Sequence, residues 1–547
     1  MKKIKNVLFV IGSSLLFFSL FFISSCNKLE NVTEGAKLII DYNLIETTID
    51  VQLYDAATGE LIGRDGDASV KVKITGLDKD GVMDITGVQN NDMLYYSQRG
   101  MLGLALIPEA AFTPSETRPI VFNIVTDLSG YLSTSQKITV VSEGRNQYRI
   151  NMVRLDNPPQ GVTVNRETGV TTAIDGRIQN PATVSTPTGK AKIEIPNGIV
   201  LRDSEGNPLS GSINVDVVHF DNTSDEALAA FPGGLMPTVT RTDGSVADGM
   251  FYSAGFLAIE ITDASGRHAA TFEEGTVRME AVVSPETYNP ETNGAVAAGD
   301  IVPVWSYNEN TGEWKEEGVS TMQNIDGQLI ADFELTHLSY YNFDWFYGDF
   351  CYQGAAFQFV ADNPISGCYV IAGTMYRQSD NAYLMSIYMW VCPGQPVYTS
   401  YAPSGVPVKI VWNESSYPNI TIAPSSQPTL INDLCGGGPF QINILNNTSN
   451  TTTVTIDVEA YCASQPNMII RPSFSAWYRP ISNWNWNPVA MENGYAEIMG
   501  VEMGGTYIVG IYYDNQWYET EVVVTAEEYT YVGIDLPADV CSEVFGY

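Results

Sequence analysis

Few residues in this chain are arranged to do chemistry. Six of the seven cysteines (Cys351, Cys368, Cys392, Cys435, Cys462 and Cys541) lie in the last two-fifths of the 547 residues. None forms a Cys-x-x-Cys pair, which argues against a zinc site or a dithiol redox motif. An even set of widely spaced cysteines instead predicts disulfides, with the pairing left open and Cys462 with Cys541 the expected closure of the last domain. There are only three histidines, His219, His268 and His337, and no two stand at a metal-binding spacing. No G-x-S-x-G, H-E-x-x-H or phosphate-loop motif occurs. Asp78, Asp80 and Asp84 alternate around Gly81 and offer the hard oxygens that Ca²⁺ takes, although an Asx-rich hairpin turn explains the same residues. Trp477, Trp484, Trp486 and Trp517 crowd the C-terminal region. Such side chains stack on sugar rings, anchor protein contacts or fill a sandwich core, and the sequence leaves all three readings open. No residue earns a catalytic assignment, so the expectation is a non-enzymatic protein without a cofactor.

The elements that must hold these residues are strands. Ile213, Val215 and Val217 alternate with Asn214 and Asp216, and Val454, Ile456 and Val458 alternate with Thr455 and Asp457. His219 continues the inward parity of the first run. Turn dipeptides such as Thr58-Gly59, Asp80-Gly81 and Thr311-Gly312 punctuate the pattern. Only Ser224 to Ala230 reads as a short helix. The fold expected is all-β, with several β-sandwich domains in series. Breaks at Asp156-Asn157-Pro158-Pro159, after Tyr340 to Phe350, and near Cys462 divide the chain into 38–158, 159–346, 347–462 and 463–547.

The N-terminus sets the compartment. Lys2, Lys3 and Lys5 precede an apolar run from Val7 to Ile23, and Ser24-Ser25-Cys26 closes it. That layout is a secretory signal peptide. Small residues directly before a cysteine resemble a bacterial lipobox, which implies cleavage after residue 25, acylation of Cys26 and attachment to a lipid bilayer, with 26–37 as tether. Asn27 and the polar, acidic Lys28 to Glu34 resemble the export tags of Bacteroidota surface lipoproteins. That resemblance implies the outer membrane, facing the cell exterior.

Charge agrees with an exported body. Lys and Arg number 28 against 63 Asp and Glu, a net −35. Such a field repels nucleic acid, so no nucleic-acid partner is expected.

Two further resemblances concern the domains. Residues 38–158, through Val51 to Gly63 (VQLYDAATGELIG), look like transthyretin-type or carboxypeptidase-regulatory modules. Residues 172–346 carry in order Lys190 to Pro196, Phe231-Pro232-Gly233-Gly234, Gly255 to Glu260, Ile301 to Tyr307, Thr311 to Gly318 and Thr336 to Asn342. That series resembles the ectodomains of astroprincin-type and cartilage-intermediate-layer proteins, and implies a β-rich, non-catalytic extracellular module. The function expected is an interaction or scaffold subunit of an outer-membrane complex, docked on a barrel protein for protein assembly or nutrient uptake. The alternative is a glycan-binding lipoprotein of a carbohydrate-uptake system, reading through the tryptophans.

Overall fold

A computed structural model describes residues 38–42 and 46–536, apart from 86, 364–368, 393, 414–419, 447–450, 463–464, 483, 485 and 514–515. The protein is all-β. Its strands build pairs of facing sheets, and the one described α-helix is a single turn, Asp225–Leu228, capped by the Ser224 side chain. No described helix is long and apolar enough to cross a membrane. Cys26 and the expected signal peptide lie outside the described residues.

The first domain is a sandwich of two four-stranded sheets. In one, Val82–Asp84, Met101–Leu106, Thr47–Asp55 and Gly144–Met152 lie side by side; in the other, Leu94–Tyr96, Lys71–Thr75, Ile120–Asp127 and Thr134–Val140. Ile49, Val51, Leu53, Val72, Ile74, Leu104 and Phe122 fill the space between them. These residues alternate along their strands because successive side chains point to opposite faces.

The second domain faces an eleven-stranded sheet with a five-stranded one. Ile213, Val215 and Val217 are fully buried there, and His219 is buried at the end of the same strand. Phe343 and Trp345 belong to this core and Phe346 to a neighbouring aromatic cluster, so the run near residue 345 packs chiefly within its own domain. The third domain pairs two four-stranded sheets, braced by a disulfide between Cys351 and Cys435. Cys392 is disulfide-bonded as well. Cys368, Cys541 and the side chain of Cys462 lie outside the described residues.

Two boundaries differ from those expected. Thr451–Cys462 pairs with Gln465–Pro472, Tyr495–Glu502 and Glu528–Leu536, so it opens the last domain and does not close the third. Leu38–Tyr42, expected in the first domain, runs parallel to Gln465–Pro472, with Leu38 opposite Met468 and Tyr42 opposite Pro472. The first described strand is thus an edge of the last domain. Period-two patterning says which face of a strand is buried but not which distant strand lies beside it.

The first domain contacts each of the others. Leu132, Val153 and Leu155 join Phe231, Phe256 and Trp314 of the second domain in one cluster, so the Pro-rich break at 158–159 is no free hinge. Tyr376 of the third domain donates to Asp225 of the second (2.7 Å), and Arg377 lies 3.8 Å from the Tyr252 ring centroid. The cores of the third and last domains merge into a single cluster.

Candidate functional site

The outer face of the first domain's sheet is where most of the chemistry converges. On Thr47–Asp55 the side chains of Ile49, Val51 and Leu53 go inward, which turns Asp50 and Tyr54 outward. Gly144–Met152 runs parallel beside it with Thr48 opposite Arg145, so Arg145, Gln147 and Arg149 share that outer face. This face meets the third and last domains, and its two ends differ.

At one end Leu61, Ile85 and Met101 pack on Trp477 and Trp486, with Tyr54, Ile508 and Trp517 around them. Trp477 is 1% exposed and Trp486 3%. Trp517 closes the group, its ring 5.4 Å from Trp477 and 5.1 Å from Trp486. Gly103 lies under Trp477: a Cβ there would come within 3.1 Å of Ile85 and 3.4 Å of the indole. The Trp517 indole donates to Glu519 (2.7 Å), and Glu519 also meets Arg99 of the first domain at 2.8 Å. The glycan-platform reading of Trp477, Trp486 and Trp517 is therefore corrected. They are the cement between the first and last domains, because a hydrophobic aromatic face gains more by covering Met101 and Leu61 than by facing water. Trp484 is half-buried, in a loop and not a strand, with the Arg479 guanidinium 4.0 Å above its ring.

At the other end the face is polar. Arg145 reaches Asp50 at 3.6 Å and Ser475 of the last domain at 3.2 Å. Its guanidinium lies 5.5 Å from the Trp390 ring, and that of Arg149 lies 3.8 Å from Tyr54 and 5.8 Å from Tyr388. Asp50 is 1% exposed, and neither of its carboxylate oxygens accepts a hydrogen bond from the described residues. Burial pushes its pKa up, and the Arg145 charge offsets this only in part. The buried Arg145 Nη1 and Gln147 Nε2 likewise have no hydrogen-bond partner among the described residues. A cavity of about 690 Å³ adjoins this end, bounded by the first, third and last domains.

A second cavity, about 990 Å³, separates the first domain from the second. The hairpin tip at Asn308 to Gly312 crosses it. The Glu309 carbonyl accepts from Ser135 (3.2 Å) and Thr75 (3.4 Å), and the Asn310 carbonyl accepts from Asn123 (3.3 Å). Gly312 is needed there, since a Cβ would stand 2.1 Å from the Asn123 side chain. Burial and then the neighbouring Glu260 push Glu309 up to about 7, and burial raises Glu260 as well. His268 and His337 line the same cavity, and burial lowers the pKa of His337. In the sequence Asn308 to Gly312 reads only as a turn, and nothing in it signals a second carboxylate from a distant strand.

The three aspartates of the expected calcium turn serve other ends. Asp78 accepts the Val121 N–H at 2.8 Å, Asp84 accepts that of Val88 at 2.9 Å, and Asp80 is exposed beside Lys79. Among the described residues no three His, Cys, Asp or Glu side chains gather to hold a metal ion.

No family model matches the chain, and no curated protein matches it. Among solved structures, the Bacillus anthracis TIE protein aligns with 69% of this chain and 58% of its own length, at 7% identity and a TM-score of 0.14. The major pilin subunit of Bacillus cereus aligns over 90% of this chain and 99% of its own, at 6% identity and 0.14. The full-length RrgB pilus protein of Streptococcus pneumoniae gives 90% and 99%, at 8% identity and 0.13. Likeness at this level carries no argument about function, and the all-β assignment rests on the strands themselves.

Proposed function

We propose that this chain is a lipid-anchored, non-enzymatic scaffold subunit of an outer-membrane complex, held at Cys26, facing the cell exterior and docked on a barrel protein engaged in protein assembly or nutrient uptake. The observation that carries this reading is the joining of the first described strand and the first domain to the last domain. The strand Leu38–Tyr42, which follows the tether, is an edge of the last domain, and the last domain is cemented to the first through Trp477 and Trp486. A lipid anchor attached to a multi-domain body of this kind holds a partner at a set distance from the bilayer. The resemblance of residues 172–346 to non-catalytic ectodomains supports the same reading. Affinity capture of the tagged chain from gently solubilised membranes tests it: a barrel protein in stoichiometric amount is expected, and a monomer recovered alone overturns it.

A second reading, hydrolysis, has one observation in its favour, the raised carboxyl groups of Glu260 and Glu309 in one cavity. The hydrogen bonds of the 308–312 tip to Thr75, Asn123 and Ser135 account for that cavity as a docking seam. Turnover of aryl glycosides or esters that Glu309→Gln abolishes would favour hydrolysis instead.

A further inference from the structure

We propose that the seam between the first and second domains is a proton-operated latch. The 308–312 tip stays seated on the first domain while Glu260 and Glu309 hold protons, and it lifts as charge builds on the pair. The geometry puts seat and charge on one residue. The backbone carbonyl of Glu309 accepts from Ser135 and Thr75, and that of Asn310 accepts from Asn123. Glu309 and Glu260 both line the 990 Å³ cavity that the tip crosses. Asn308 braces the tip, its side chain accepting the Asn310 and Thr311 N–H groups at 2.9 and 3.2 Å. A push on the Glu309 carboxylate is thus a push on the hydrogen bonds that dock the tip.

No cation neutralises the pair. Apart from Glu260, no charged group acts on Glu309. Glu260 stands opposite Asp216, which Arg166 holds at 3.2 Å, and its other charged neighbour is His268. Lys71 is engaged with Asp127 at 3.4 Å, and Lys315 with Glu317 at 3.1 Å. Lys73, on the first domain's wall, is exposed and pairs with neither glutamate among the described residues. Glu313 faces Lys137, and His337 faces Lys315 and Glu317. Tyr307 and Tyr340 complete the surroundings as neutral phenols. Burial, and then Glu260, pushes Glu309 up to about 7, and burial raises Glu260. The latch is therefore closed at low pH and loosens as pH rises past 7, where like charges repel across the cavity. Lifting the tip brings the Glu309 carboxylate into water. Phe231, Phe256 and Trp314 still hold Leu132 and Val153, a contact without protons to lose, so the tip opens while the domains stay joined.

Hydroxyl-radical footprinting of the full, detergent-extracted chain tests this at about pH 5.5 and about pH 8.5, on either side of Glu309. Tyr307 and Tyr340 are 3% and 4% exposed on the cavity wall, and Tyr95 in the first domain's core is the internal standard. Oxidation of Tyr307 and Tyr340 relative to Tyr95 is expected to rise several-fold at the higher pH. Glu260→Gln with Glu309→Gln should keep that ratio low at both values, and His268→Gln should leave the rise in place. Should the double variant fail to fold, Glu309→Gln alone decides, since it keeps the backbone carbonyls and their three donors. The proposal is overturned if the ratio is flat in the unmodified chain, or if it rises equally in the glutamine variants. It is also overturned if His268→Gln abolishes a rise that Glu309→Gln retains. None of these results bears on capture of a barrel protein, so latch and scaffold fail separately.

Discussion

The two ends of one sheet face behave in opposite ways. Around Trp477 and Trp486 the first and last domains meet through large apolar surfaces, with the Arg479 guanidinium 5.0 Å from the Trp486 ring. Around Arg145, a short distance along the same strands, the leftover groups are a carboxylate, a guanidinium nitrogen and an amide nitrogen, all costly to bury. The first end is a joint. The second is a joint between charged and amide side chains, and the difference teaches that one sheet face can be covered by apolar packing at one end and by ion pairing at the other.

The largest perturbation should come from the apolar end. Trp477→Ala removes a fully buried ring at the domain boundary and should cost about 3–5 kcal/mol in denaturant unfolding. A loss below 1 kcal/mol would mean that the domains do not rely on this contact. At the polar end, Arg145→Met strands the buried Asp50 and should cost on the order of 3 kcal/mol near neutral pH. Adding Asp50→Leu should recover most of it, since a buried ion pair with poor hydrogen bonding gains little over apolar packing. A double variant as unstable as the single one would show that the pair itself holds the seam.

The Cys351–Cys435 disulfide gives a reference lying at neither end. Replacing both cysteines by Ser should cost roughly 2–4 kcal/mol in the same unfolding measurement. Next comes pH. Glu309 holds its proton to about pH 7 in the fold but only to about 4.5 when unfolded, so the folded state binds more protons across that window. Stability contributed by this group is therefore full below pH 4.5 and is lost as pH rises toward 7, a change on the order of 1–3 kcal/mol that Glu309→Gln should remove. A stability profile of the same shape in the Gln variant would assign the effect to another group. The smallest effect belongs to Trp484→Ala, under about 1 kcal/mol by thermal melting, because this ring is half-exposed and held mainly by Arg479.

Much of the architecture was legible because it is local. Alternation at Ile213, Val215 and Val217 gave a buried face that is buried, and Ser224 does cap a turn of helix. What escaped is non-local. The outer side chains of Thr47–Asp55 are mostly polar, Thr48, Asp50 and Gln52 among them, and by the usual rule face solvent; two other domains cover that face instead, and Asp50 is buried. The tryptophans were noticed for their type, yet whether a ring covers core, partner or sugar depends on what stands opposite it. Residues that turned out to line the cavities, such as Gln147, Tyr398 and Glu309, carry no motif. Their importance arises from convergence of strands far apart in the chain.

The parallel pairing of Leu38–Tyr42 bears on how the protein is made. Leu38–Tyr42 leaves the ribosome well before its partner Gln465–Pro472, which follows roughly 430 residues later, a distant pairing that must wait for most of the chain. Any product cut short before that partner, by an early stop or a protease, leaves Leu38–Tyr42 without the strand it pairs with. The exposed edge marks it as incomplete, open to clearance or to clumping with its neighbours. Only a chain extended through Pro472 can cover this strand.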